Sequence, residues 1–207
     1  MSKVVNIRKG LNIRLKGSAE KVLTKTPIAE SYAVKPTDFA GLTPKLAVKQ
    51  GDQVKAGTPL FFDKNRPEIQ FVSPVSGVVS AINRGERRKL LEVVVTPDAE
   101  QQYEKFDISN TASLNRDELI DLMLKAGLWP FIKQRPYGII ANPVDKPKAI
   151  FISGFDSAPL GVDMDFVLTN EAENFQKGVD MLKKLTEGKV HIGVTTGNAA
   201  SGILKKV

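Results

Sequence analysis

Val48-Lys49-Gln50-Gly51-Asp52-Gln53-Val54-Lys55-Ala56-Gly57-Thr58-Pro59-Leu60 is one half of a matched pair, and Ser73-Pro74-Val75-Ser76-Gly77-Val78-Val79 is the other. The second half continues through Ala81-Ile82-Asn83-Arg84-Gly85-Glu86. Runs of strand-forming residues alternate with Gly-Asp, Ala-Gly, Ser-Pro and Ser-Gly turns at close spacing. Short strands punctuated this densely predict a small, flattened barrel between Lys45 and Arg88.

Further elements lie on either side. Val4 to Gly10 and Leu11 to Gly17 read as an N-terminal strand region, and Ser31 to Lys35 as a strand leading into the barrel. Leu90 to Val95 is rich in β-branched residues and closes it. Residues 97 to 112 are polar and read as a linker. Asn115, with Glu118 three residues later, forms a capping box that opens a helix. Leu119, Leu122, Met123 and Ala126 would be its buried face, and Gly127 its stop. Beyond a loop rich in proline and aromatics (129 to 147), the pattern becomes strand–helix–strand. Ala149 to Ser153 is a buried strand, Asn170 to Gly188 a helix with a second capping box at Asn170 and Glu173, and Val190 to Thr195 a second buried strand. The apolar face of that helix is Phe175, Val179, Leu182 and Leu185. This is a βαβ unit, which implies a parallel strand pair with a right-handed crossover.

The fold class is therefore α+β and multi-domain: a biotinyl/lipoyl-like β-barrel (barrel-sandwich hybrid) followed by a partial α/β, Rossmann-like domain. The expected divisions are an N-terminal strand region (1–30), the barrel (31–97), linker and helix (98–128) and the partial α/β domain (129–207). The chain ends at Ile203-Leu204-Lys205-Lys206-Val207 without a closing element, so a fragment of a longer protein is expected.

Composition limits the chemistry. There are 207 residues, 42% hydrophobic and 26% charged, as in ordinary soluble domains. No apolar run reaches the length of a membrane span; the best, Leu119 to Ile132, is broken by Asp121, Lys125 and Pro130. There is no cysteine, which excludes disulfides, iron–sulfur ligation and thiolate catalysis on this chain and points to the cytoplasm. The single histidine, His191, argues against a histidine metal site or a catalytic triad. Net charge is +7, with basic residues gathered at Arg84 to Lys89 and at Lys205-Lys206. No aromatics interleave with them, so the basic surface is read as solvated and nucleic acid is not an expected partner.

Five stretches could carry function. A carrier barrel presents one lysine on a tight hairpin, and Lys64 in Asp63-Lys64-Asn65-Arg66-Pro67-Glu68 stands at that place. Its flanks match neither the lipoyl nor the biotinyl form, and Pro67 opposes a two-residue turn. Lys64 is therefore read as an exposed loop lysine, with a modified carrier lysine as the alternative. Gly197 to Gly202 spaces glycines like a phosphate loop, but Ile203-Leu204 replace its Lys and Ser/Thr, so a turn is expected. Asp156 and Ser157 lie just past a parallel strand, where open α/β sheets bind ligands, and they serve either a ligand or a turn. Asp163-Met164-Asp165 lacks a third ligand and is read as a loop, leaving no expected metal site. The last stretch contains Trp129, Phe131, Lys133, Arg135 and Tyr137. Aromatic faces beside cations suit a flat ring with polar carbonyls, such as a quinone, and they suit inter-domain packing equally.

Together these segments resemble one family: the A subunit of the sodium-translocating NADH:quinone oxidoreductase. The resemblance rests on Ile7-Arg8-Lys9-Gly10-Leu11, Gly51 to Gly57 with Leu60-Phe61, and Ser73 to Gly77. More specific are Ile82-Asn83-Arg84-Gly85-Glu86-Arg87-Arg88, Gly127-Leu128-Trp129-Pro130-Phe131 and Phe155 to Leu160. It covers essentially the whole chain, as the N-terminal half of a protein about twice this length. The resemblance implies a peripheral subunit on the cytoplasmic face of the inner membrane. Its partners would be integral-membrane and peripheral subunits, and ubiquinone the substrate of the complex. It implies no cofactor on this chain, with flavins and iron–sulfur centres on partner subunits. The family's α/β domain is similar to a flavin-binding subunit of respiratory complex I. Trp129 to Pro136 stands where that relative has a glycine-rich flavin loop, so the flavin site is expected to be lost. A flavin-dependent oxidoreductase with an altered site is the remaining alternative.

Overall fold

A computed structural model describes residues 16–17, 20–158, 160–194 and 202–205. The expected N-terminal strands and the glycine-spaced loop at 197–201 lie outside the described residues.

The barrel is built from two curled antiparallel sheets. One has the order β1 (Tyr32–Val34), β7 (Leu90–Pro97), β6 (Gly77–Arg84), β3 (Gln53–Val54). The other is β2 (Pro44–Leu46), β4 (Pro59–Asp63), β5 (Gln70–Val72). In β7, Val93 and Val95 alternate inward, and a register irregularity opposite Asn83 and Arg84 buries Leu90 as well. In β4 a second irregularity, between Pro59 and Phe61, turns both Leu60 and Phe61 inward. That is how a bulge reshapes a strand. Phe61 stacks on Phe71 at 4.8 Å between centroids, and Phe39 meets Phe71 edge-on at 4.6 Å.

The two half-repeats meet across the barrel. Gly51 N donates to Val79 O (2.8 Å) and Val79 N donates to Asp52 O (2.9 Å). The segment expected to be a free linker is partly bound to this assembly. Gln102 N donates to Ser76 Oγ, Ser76 N donates to Gln101 Oε1, and Ala56 bridges Tyr103 in parallel.

Helix α1 (Arg116–Lys125) begins at the expected capping box: Asn115 Oδ1 accepts from Asp117 N and Glu118 N, and Asn115 N donates to Glu118 Oε2. Its buried face is Leu119, Ile120, Met123 and Leu124, rotated from the expected stripe. Apolar residues surround most of this helix, so periodicity alone does not select a face. Tertiary bonds do: Arg116 donates to the carbonyls of Leu185, Pro143 and Asp145. The buried residues of α1, together with Trp129, Ile140 and Leu185, join the barrel's apolar residues in one continuous core.

The βαβ unit is present as β10 (Ala149–Ser153), α3 (Ala172–Lys183) and β11 (Lys189–Gly193), with the strands parallel and in register from Ala149↔Lys189 to Ser153↔Gly193. Three expectations need correction. The strands are not buried on both faces: Phe151 is 77% exposed and stacks on His191 at 4.9 Å. Among the described residues this sheet has two strands and no layer over that face. The second capping box does not form. A short helix α2 (Met164–Val167) runs up to it, Glu171 N donates to Leu168 O, and Glu171 takes the cap position without a side-chain bond to the helix backbone. Finally, α3 ends at Lys183 rather than near Gly188. Lys184 and Leu185 form a tight last turn, and Thr186 Oγ1 is committed to Pro147 O.

Candidate functional site

The aromatic segment after α1 is a compact hairpin. Gly127, at φ +68, ends the helix, and Leu128 N donates to Met123 O (2.9 Å). Trp129–Phe131 form one 3-10 turn, with Pro130 fully buried. Strands β8 (Lys133–Gln134) and β9 (Ile139–Ile140) then pair antiparallel, Lys133 with Ile140 and Gln134 with Ile139. Their connection contains the cis Arg135–Pro136 bond and Gly138 at φ +67.

This geometry divides the five expected quinone contacts. Trp129 is 3% exposed, and its indole Nε1 donates to Ala141 O at 2.8 Å. Its ring is taken up by the core. The other four lie outside. Exposure alternates from Phe131 to Arg135, with Phe131, Lys133 and Arg135 open and Ile132 and Gln134 half-covered. Phe131 is 73% exposed and Tyr137 76%. Two exposed aromatics and two cations on one short hairpin form a surface that can lie against a planar ring or a neighbouring protein. Two cavities, of about 450 and 430 Å³, are lined by other residues.

The remaining candidates take part in local hydrogen bonding. Lys64 is exposed and follows β4, and its N donates to Thr43 O (2.8 Å). The loop around it is wide. Buried Asp63 accepts from Asn65 N and pairs with Arg66 Nε at 3.6 Å, while Ile69 is fully buried. Asp156 and Ser157 are both exposed beyond β10, and Asp156 Oδ1 accepts from Ala158 N, closing a turn. Asp163 caps α2 and pairs with Lys21 at 2.6 Å; the Lys21 hydrogen bond, then that from Phe166 N, lowers its pKa. The expected Asp163–Asp165 loop is thus a capped helical turn. Among the described residues no group of three or more metal-ligating side chains gathers. None of their helices is long and apolar enough to cross a membrane.

The larger cavity was not legible in the sequence. Arg84, Arg88 and Lys89, read as a solvated surface, line it with Phe39, Leu42 and Leu90. The pairing of β1 with β7 brings these two stretches together.

Comparison with known proteins agrees with this architecture domain by domain. A family model described as the NqrA N-terminal barrel-sandwich hybrid domain matches residues 5–98, and one described as the NqrA second alpha/beta domain matches residues 114–206. The chain belongs to the NqrA family. A relative from Yersinia pseudotuberculosis serotype O:1b (strain IP 31758) is 35% identical over 200 residues, 96% of this chain and 45% of its own length. One from Neisseria meningitidis serogroup A is 36% identical over 196 residues, covering 94% and 44%. One from Photorhabdus laumondii is 34% identical over 197 residues, covering 94% and 44%. Each is named as the A subunit of Na(+)-translocating NADH-quinone reductase. The chain spans less than half the length of these curated relatives. Family membership accounts for the order of barrel and α/β unit that the sequence predicted.

Proposed function

We propose that this chain acts as part of the peripheral A subunit of a sodium-pumping complex that passes electrons from NADH to ubiquinone. The observation that carries this reading is the ordered match of both NqrA domains, with 35% identity over 96% of the chain to a relative bearing that name. The side-chain inventory supports a non-catalytic role. With no cysteine, the chain offers no thiolate ligands for an iron–sulfur centre. The redox groups, flavins and iron–sulfur centres, then belong to partner subunits. On the resemblance, Trp129 and Pro130, both buried, replace a glycine-rich flavin loop that would need open backbone. The protein works from the cytoplasmic face of the inner membrane, assembled with integral-membrane and peripheral partners.

Within that reading, the hairpin of Phe131, Lys133, Arg135 and Tyr137 contributes to the quinone site. Its open aromatic faces supply stacking, and its cations supply donors to the quinone carbonyls. The test is Phe131→Ala in the assembled complex. Loss of one aromatic contact, about 1 kcal/mol, raises the KM for quinone about fivefold with kcat and subunit composition unchanged. An assembled variant with unaltered quinone KM removes the hairpin from the site. If the full-length protein does not co-purify with integral-membrane subunits, its placement in the complex fails.

A further inference from the structure

The cavity of about 450 Å³ between residues 36–44 and 84–90 has two chemically distinct sides. One side is apolar, built from Phe39, Leu42 and Leu90, and the other carries Arg84, Arg88 and Lys89. No carboxylate lines it, and among the described residues none of these three cations takes part in an ion pair. Nor is this a floppy basic tail. Gly85 N donates to Lys89 O (2.8 Å), Lys89 N donates to Glu86 O (3.1 Å), and Arg84 Nη1 donates to Arg88 O (3.0 Å). The turn so formed holds Arg87 at φ 52 and Arg88 at φ 61. Left-handed backbone is strained for an L-residue, and here two consecutive arginines occupy it. Unpaired cations held in a strained turn beside an apolar wall form a receptor for an anion attached to an apolar body.

The surroundings narrow the choice of anion. Gly41, on the cavity wall, lies against the hairpin: a Cβ there would sit 3.8 Å from Ile139 Cγ2. The same hairpin exposes Phe131 and Tyr137 beside Lys133 and Arg135. Exposed aromatics next to a basic cluster are the pattern of a surface that rests at the headgroup level of an anionic bilayer. We propose that the cavity holds the phosphate of an anionic phospholipid headgroup, with Arg84, Arg88 and Lys89 around the phosphate and Phe39, Leu42 and Leu90 against the glycerol and adjoining acyl carbons. The volume suits a headgroup and leaves the acyl chains in the membrane. The proposal rests on the cavity and the neighbouring hairpin and does not depend on membership of the redox complex.

The experiment is sedimentation of this full chain with vesicles containing phosphatidylglycerol, against vesicles of phosphatidylcholine alone, at about 0.1 M salt. The expected result is binding to the anionic vesicles only. Arg84→Gln with Lys89→Gln removes two basic contacts and lowers the partition about thirtyfold. Lys105→Gln with Lys125→Gln removes the same charge from exposed sites outside the cavity and changes it less than about twofold. Equal losses in the two double variants overturn the proposal in favour of general attraction. Failure of the unmodified chain to prefer anionic vesicles also overturns it. Glycerol 3-phosphate supplies the soluble arm: tight binding of it without vesicle binding assigns the cavity to a free phosphate ester and overturns the lipid source. Near-ultraviolet dichroism checks that every variant is folded.

Discussion

Gly127→Ala perturbs the point where α1 meets the barrel. Gly127 sits at φ +68, and a Cβ there would lie 2.6 Å from both Cγ atoms of Val72 in β5. Two costs follow. Placing alanine in the left-handed region costs roughly 1–2 kcal/mol, offset by about 0.4–1 kcal/mol from the stiffer unfolded chain. Driving a methyl group into a packed Val72 costs about 1–3 kcal/mol more. The net loss is about 1–5 kcal/mol. The assay is urea unfolding followed by Trp129, the only tryptophan, buried two residues from the substitution. A double-mutant cycle separates the terms. Val72→Ala deletes the two clashing atoms, so Gly127→Ala in that background should cost only the backbone part, with a coupling energy of about 1–3 kcal/mol. Coupling within about 0.5 kcal/mol of zero would refute the close approach of helix end and barrel.

Two smaller predictions concern caps and charge. Asn115→Ala removes the side-chain oxygen that accepts from Asp117 N and Glu118 N, leaves the backbone bond to Glu118, and lowers stability by about 1 kcal/mol, while Asn115→Ser keeps most of it; equal losses in the two variants would show that the side-chain oxygen is not the cap. Asp163 is held below its ordinary pKa, first by Lys21 and then by the Phe166 amide. A depressed folded pKa stabilises the protein above the unfolded value and loses that effect as pH falls through the folded one. Lys21→Gln should therefore move the Asp163 midpoint up toward the ordinary carboxylate range in a carbon-13 NMR titration. An unmoved midpoint would exclude the ion pair in solution.

Where local chemistry decides, the sequence was readable. The Gly51-Asp52 turn, the Asn115–Glu118 box and the β-branched run before Pro97 each act over a few residues, and each forms as expected, whereas the bend expected at Ser76-Gly77 falls at Pro74-Val75 and Gly77 opens β6. Where choice depends on a distant partner, it was not. The buried face of α1 is set by carbonyls of Pro143, Asp145 and Leu185, and the failed box at Asn170 by the short helix before it. The same division runs through the candidate site. An aromatic and basic cluster was visible as composition, but nothing in Trp129-Pro130-Phe131 shows that Trp129 points into the core and Phe131 away from it. The basic turn at Arg84–Lys89 gave no hint of a cavity, because its apolar wall comes largely from residues some forty-five positions earlier.

The connection between barrel and α1 is shorter than its polar sequence suggests. Its first residues, through Glu104, are tied to Ala56, Thr58 and Ser76. Its last are gripped by Lys184, whose Nζ donates to the carbonyls of Thr111, Ala112 and Leu114. Only residues 105–110 lie between these anchors, and about six residues fully extended reach at most about 20 Å. A prosthetic arm that shuttles between distant centres needs a long leash on its whole domain. This barrel is moored at both ends of a short one and shares a continuous core with α1.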